Sequence, residues 1–237
     1  MSVEDKNVVI TGAAGNLGGA AARAFAGAGA NLALIDNRPD RLAGLFPDLK
    51  EKGGTLLIGN TDVTHPASVG KMVDLIMGQW ERIDVLLNIA GGYRGGAPVH
   101  ETSPEDWDFI MNLNAKSVFL VAGAVVPHMI GQGYGKIVNV AASRGLQGTK
   151  NNGADSAAKS AVIRLTESLA AELKDHNINV NCIIPRMLDT PANRASMPNA
   201  DFSKWASPAQ VAEVMLFLAS DASSVIQGAA IPVYGRA

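Results

Sequence analysis

The segment 7–36, NVVITGAAGNLGGAAARAFAGAGANLALID, constrains this chain more than any other stretch. A β-branched run, Val8-Val9-Ile10-Thr11, meets a turn carrying Gly12, Gly15 and Gly18, and an alanine-rich stretch of helical character follows. A second apolar run, Leu32-Ala33-Leu34-Ile35, then ends on Asp36. The pattern predicts strand, glycine turn, helix and strand in succession. Glycines in such a turn let backbone approach an anion where a Cβ would clash, and the unpaired N–H groups and positive dipole of the helix start favour negative charge. An acid about 20 residues beyond the turn is placed to receive ribose hydroxyls. These features predict a dinucleotide site, with Gly12, Gly15, Asn16, Leu17 and Gly18 at the pyrophosphate and Asp36 at the adenosine ribose. A turn serving only tight helix–sheet packing would leave the terminal acid unexplained.

Beyond Asp36, strand and helix patterns alternate without a linker, a low-complexity tract or a repeat. Strands are expected at 54–59, 83–88, 135–141, 177–183 and 229–233, and helices at 39–49, 66–80, 104–127, 153–174 and 207–220. Alternation of this kind predicts an α/β fold, a doubly wound parallel sheet of Rossmann-like type with helices on both faces, as one domain over 1–237. The runs 85–87 and 137–140 are apolar on both faces, as buried parallel strands require. Ser207 followed by Pro208 is a helix start signal. Within 153–174, Val162, Leu165, Leu169 and Leu173 form one stripe for the sheet, while Ala161 and Ile163 lie off it and hint at a subunit contact.

Composition narrows the function. Apolar residues make up 47% of 237, charged ones 18%, and the net charge is -2, so no basic surface for nucleic acid is expected. The apolar run 118–126 is stopped by Pro127 and is too short for a bilayer, so no membrane association is expected. Cys182, the lone cysteine, excludes an internal disulfide and fits a reducing, cytoplasmic setting. The first residues, MSVEDKN, show no charged-then-apolar signal pattern. His65, His100, His128 and His176 have no ligand spacing, so no metal is expected. In open parallel sheets ligands lie beyond the carboxyl ends of the strands. The stretches 12–18, 36, 88–91, 141–143 and 185–190 should therefore converge on one site.

The same stretches resemble the short-chain dehydrogenase/reductase family over essentially the whole chain. TGAAGNLG is similar to its TGxxxGxG turn, with Asn16 at the usual middle glycine and Gly15 one place earlier. Asp62-Val63 resembles the Asp–aliphatic pair beside adenine, and Asn88-Ile89-Ala90-Gly91 resembles the NNAG stretch. Asn114 matches the helix asparagine that anchors a proton-relay water. Pro185 and Thr190 match the segment that seats the nicotinamide carboxamide, with Arg186 replacing a glycine. The resemblance implies a homo-oligomer, tetramer or dimer, and a small-molecule substrate. Asp36 implies NAD in preference to NADP, since a carboxylate repels a 2′-phosphate, although Arg38 is able to pair with one.

The family's chemistry uses a Ser–Tyr–Lys set, with Tyr donating a proton to a carbonyl as hydride arrives from nicotinamide. Here Lys159 matches the lysine, the tyrosine position is Asp155, and the serine position is Ala142. Ser143 is adjacent, but in an extended strand it would point the other way. The dihydropteridine reductases, also resembled, lack the serine but keep Tyr and Lys. Asp155 is expected to ion-pair with Lys159 one helical turn away, and so to be a poor proton donor. Three readings stand open. Asp155 with a water, or Lys159 directly, relays the proton in an oxidoreductase acting on a carbonyl, alcohol or related C=N group. Alternatively, the site binds NAD with impaired or absent redox catalysis, as a natural pseudoenzyme or an inactivated variant. In the third, the carboxylate is a general base for elimination or isomerisation. Substrate contacts are expected from Tyr93, Ala142, Arg186 and Met187, with Tyr93 covering substrate and 191–206 acting as a lid. Tyr134 should lie at the wrong end of the sheet, and Tyr234 should approach from the tail.

Overall fold

A computed structural model describes residues 2–51 and 53–236. In chain order the elements are β1 Asn7–Thr11, α1 Asn16–Gly27, β2 Asn31–Ile35, α2 Pro39–Leu45, α3 Pro47–Glu51, β3 Thr55–Ile58, α4 Pro66–Trp80 and β4 Val85–Asn88. There follow α5 Pro104–Met111, α6 Ser117–Gln132, β5 Gly135–Val140, α7 Gly153–Leu173, β6 Ile178–Pro185, α8 Pro191–Ser196, α9 Pro208–Ala219 and β7 Ala230–Val233. Among the described residues, seven strands form one parallel sheet in the order β3-β2-β1-β4-β5-β6-β7. This is the doubly wound Rossmann-like arrangement, and the order reverses between β1 and β4.

The apolar runs are consumed by this burial on two faces. Val8 and Ile10 of β1 point to one side, where Phe25 of α1 and Met215 of α9 cover them. Val9 points to the other, against Met72 of α4, Val125 of α6 and Leu173 of α7. Side chains of a strand alternate, so a strand covered on both sides has to be apolar throughout.

Several boundaries differ from expectation. The helix expected at 39–49 breaks at Phe46, because Pro47 disfavours a helical residue before it, and restarts as α3. The helix expected to stop at Pro127 continues to Gln132 and closes on Gly133 at φ +66°. Pro127 and Gly123 are both exposed, so the Gly123 carbonyl that loses its intrahelical donor faces water and the helix tolerates the ring. With α5 and the turn between, this makes one 29-residue helix, Pro104–Gln132, long and apolar enough to cross a bilayer by composition, whose inner face is packed into the fold. Ile163 is buried among Val118, Ala141, Cys182 and Ile184 of the same chain, and Ala161 packs beside Ile110 and Ala154. Ile163 is therefore covered from within, whereas Ala161 stays half-exposed, with α5 as well as the sheet flanking α7. Ser207 caps α9 as expected, its hydroxyl accepting from Gln210 N at 3.2 Å while Gln210 Oε1 accepts from Ser207 N at 2.9 Å.

Candidate active site

The strand ends at the β1/β4 reversal open onto a cleft of about 300 Å³ lined by Gly12, Asp36, Arg38, Asp62, Val63, Ala90, Gly91 and Leu113, among others. Gly12 stands at φ +69°, and a Cβ there would lie 2.8 Å from Ala90 Cα, so the turn after β1 passes directly against the loop after β4. A Cβ on Gly18 would overlap the Gly12 carbonyl oxygen, which packs α1 against its own turn. Gly15 caps α1 without a side-chain hydrogen bond, leaving the helix start available to an anion. Asn16 is exposed there, while Leu17 is turned into the core. Thr11 ties the two loops together: its Oγ1 accepts from Ile89 N at 3.0 Å and Ala90 N at 3.1 Å.

Asp36 is buried at the floor of the cleft, 4% exposed. Its carboxylate accepts from Ala14 N at 3.0 Å and from the Arg38 guanidinium at 2.9 Å and 3.2 Å. Burial alone would raise its pKa, but the Arg38 guanidinium and the amides of Ala14 and Arg38 outweigh that and hold it below the usual carboxylate range. Asp62 is exposed and held by Thr64, and Val63 is buried beside it. The glycine turn, the open helix start and a buried acid kept ionised fit a dinucleotide.

Asn114 lies on a feature the sequence pattern gave no sign of. Residues Asn112–Lys116 form one π-helical turn between α5 and α6, an insertion that recurs at functional sites. Asn114 Nδ2 donates to Gly92 O at 2.9 Å and Ile110 O at 3.1 Å, and Oδ1 accepts from Gly92 N at 3.3 Å. Its amide thus clamps the loop after β4. The same turn brings Leu113, absent from the expected site, to the cleft wall. Asn88 is turned inward, Nδ2 donating to Asn139 Oδ1 at 2.9 Å, so it ties β4 to β5 within the sheet.

Asp155 and Lys159 both stand on α7, but the expected ion pair between them is not formed. Arg144 takes the carboxylate instead, Nη1 donating to Asp155 Oδ2 at 3.1 Å. Lys159 Nζ donates to the Val140 carbonyl at 3.1 Å, and burial lowers its pKa to about 8 even though Asp155 partly opposes the shift. A Cβ on Gly91 would lie 2.9 Å from Asn114 Oδ1 and 3.7 Å from Lys159 Nζ, so these three residues converge. β5 ends at Val140, and Ser143–Gly145 is a 3-10 turn, so the strand alternation that would turn Ser143 away no longer applies; Ala142 precedes it in extended backbone.

Around the mouth, Tyr93 is 55% exposed, donates its hydroxyl to Asn152 Oδ1 at 2.8 Å and lies under the Arg144 guanidinium, 5.0 Å from its ring centre. Arg186 is exposed just beyond β6 and Met187 half-buried. Pro185 closes β6, and Thr190 caps α8, accepting from Asn193 N at 3.3 Å. The segment expected to be a lid is thus partly helical and tied at its start, with Arg194 on Asp189 at 2.8 Å and Asn193 on Leu188 O at 2.8 Å. Tyr134 lies at the opposite end of the sheet, bonded to Asp221 at 3.0 Å, and Tyr234 packs near Ala141 and Val162.

Residues 6–201 match the short chain dehydrogenase family. A 3-oxoacyl-acyl-carrier-protein reductase of Thermotoga maritima is 35% identical, with 99% of this chain and 98% of that protein covered. The meso-2,3-butanediol dehydrogenase of Serratia marcescens is 36% identical over 100% of this chain and 96% of its own. Among solved structures, a gluconate 5-dehydrogenase from Burkholderia cenocepacia, in complex with NADP and tartrate, is similar at a TM-score of 0.91 and 30% identity, covering 99% of this chain and 95% of that one. Fold, matched length and relatives agree that the chain belongs to the short-chain dehydrogenase/reductase family of oxidoreductases.

Proposed function

We propose that the protein is an NAD(H)-dependent oxidoreductase acting on a carbonyl, alcohol or related C=N group of a small molecule, with Lys159 as the proton carrier. The observation that carries this reading is the placement of Lys159, held on the Val140 carbonyl and converging with Gly91 and Asn114, where burial lowers its pKa to about 8. Such a group holds a proton at neutral pH and releases it more readily than an ordinary lysine. Asp155 takes the position of the family's tyrosine and Ala142 that of its serine. The Asp155 carboxylate is engaged by Arg144 and so is not free to act on a substrate in an elimination or isomerisation.

When bound, a nicotinamide dinucleotide supplies or accepts the hydride equivalent. Gly12, Gly15, Asn16, Leu17 and Gly18 receive its pyrophosphate, Asp36 the adenosine ribose, and Asp62 with Val63 the adenine. Asn88, Ala90 and Gly91 form the wall between the two halves, Asn88 by bracing it from inside the sheet. Lys159 meets the second ribose, and Pro185 and Thr190 the carboxamide. Asn114 sets the height of the 91–92 backbone. Tyr93, Ala142, Arg186 and Met187 face substrate. NAD is preferred because the Asp36 carboxylate is kept ionised, although Arg38 beside it and the NADP held by the gluconate dehydrogenase make NADP the comparison to run. A cytoplasmic homo-oligomer, tetramer or dimer, of one domain completes the reading.

A second reading, NAD binding without turnover, is favoured by the engagement of Asp155 and the lack of a phenol on α7. Titration with NADH and NADPH, followed by a turnover panel of ketones, imines and quinonoid dihydropterins, separates the two. Oxidation of NADH by the native chain, abolished in Lys159→Met, supports the oxidoreductase. Binding without turnover, with activity gained by orders of magnitude in Asp155→Tyr, selects the second reading. Failure to bind either nucleotide overturns both.

A further inference from the structure

The 3-10 turn Ser143–Gly145 is docked on α7 by contacts that have nothing to do with charge. Ser160 Oγ donates to the Gly145 carbonyl at 2.7 Å. Gly145 itself packs so closely that a Cβ would lie 2.7 Å from the Lys159 carbonyl carbon and oxygen. This docking sets Arg144 beside the first turn of α7, where its guanidinium is 3.1 Å from Asp155 Oδ2 and 5.0 Å from the centre of the Tyr93 ring. The carboxylate is buried, its side chain 5% exposed, while Arg144 is 33% exposed.

We infer that Arg144 is a positioning residue, which holds the Asp155 carboxylate on the side of the turn and so keeps it from closing onto Lys159. The inference deepens the function proposed above and rests on Lys159 being the proton carrier. On a helix, residues four apart are neighbours, and a free carboxylate at 155 would pair with the ammonium at 159. Such a pair favours the charged lysine and makes its proton harder to release. Arg144 offers the carboxylate a better partner, since its planar fork is always charged and matches carboxylate geometry. Lys159 then keeps only the Val140 carbonyl, a neutral acceptor. The charge that bears on Lys159 is that of Asp155. Asn114 on the π-helical turn is a neutral amide and Tyr93 is engaged by Arg144 and Asn152. Tyr234, after β7, packs on the cluster that includes Cys182 of β6, whose thiol burial holds up at about 11.

The test is a pair of substitutions with opposite expected signs. Arg144→Met frees Asp155 to approach Lys159 and should raise the Lys159 midpoint by on the order of one pH unit. Asp155→Asn removes the carboxylate and should lower it. In Asp155→Asn, adding Arg144→Met should have little further effect, because Arg144 acts through Asp155. The midpoint is read by 13Cε NMR titration, with the Lys159 signal identified by its loss in Lys159→Met. The pH profile of kcat/KM for NADH-dependent reduction is read in parallel, and at pH 9 Arg144→Met should retain roughly fivefold more protonated Lys159 than the native chain, from that one-unit shift. Gly145→Ala pushes the turn off α7 without touching a charge and should move the midpoint in the same direction as Arg144→Met. A raised NMR midpoint in both variants supports the inference. A raised midpoint with an unmoved activity profile leaves it standing and overturns Lys159 as proton carrier. A midpoint unchanged in a folded Arg144→Met or Gly145→Ala protein overturns the inference.

Discussion

Asp36 and Asp155 are both buried carboxylates with an arginine partner, yet only one of the two partnerships is local in sequence. Arg38 lies two residues from Asp36, whereas Arg144 reaches Asp155 across a turn docked from another element. Lys159 illustrates how such surroundings express themselves in stability. Its folded pKa of about 8 lies below the ordinary 10.5. Between those values the unfolded chain holds a proton on this lysine and the folded one does not, so folding is favoured increasingly as pH rises through the window. The stability of the native chain relative to Lys159→Met should therefore climb from pH 8 to about 10.5, measured by urea denaturation at fixed ionic strength. A flat difference would place the lysine in ordinary solvent. Gly12 and Gly18 were legible from their spacing, and Gly18→Ala should abolish nucleotide binding, since its Cβ overlaps the Gly12 carbonyl oxygen. The Asp155–Arg144 pair was not legible: an i,i+4 lysine is the nearest partner in sequence, and only the docking of Gly145 reveals a competitor.

At the scale of elements, periodicity was a good guide where a helix or strand is regular and a poor one where it is not. The strand runs and the Ser207-Pro208 start were readable because burial and capping act on neighbouring residues. The π-helical turn was not, because one added residue leaves the apolar pattern of Pro104–Gln132 continuous on either side. That turn fixes Asn114, whose amide makes three hydrogen bonds, two of them to Gly92. Asn114→Ala should cost roughly 1–3 kcal/mol, because the buried Ile110 and half-buried Gly92 carbonyls lose their donor. Thermal unfolding measures that loss, and weakened NADH binding should accompany it as the loop after β4 loosens.

For the molecule as a whole, the reversal between β1 and β4 gathers the glycine turn, the acid and the loop after β4 at one edge, and α7 brings Asp155 and Lys159 from the other. The long helix leaves Trp107 at 43% and Phe119 at 60% exposed, large apolar side chains on one element that a second copy would cover. Phe119→Glu should reduce the assembled mass in light scattering if the protein is a homo-oligomer through this helix; an unchanged multimer would move the interface elsewhere. The close seating of Gly145 on Lys159 has a mechanical consequence. Nothing as large as a methyl group fits between turn and helix, so the turn and α7 are packed as one rigid body. If a hinge paces turnover, it is expected in the glycine-flanked strap around Tyr93 and not in this turn.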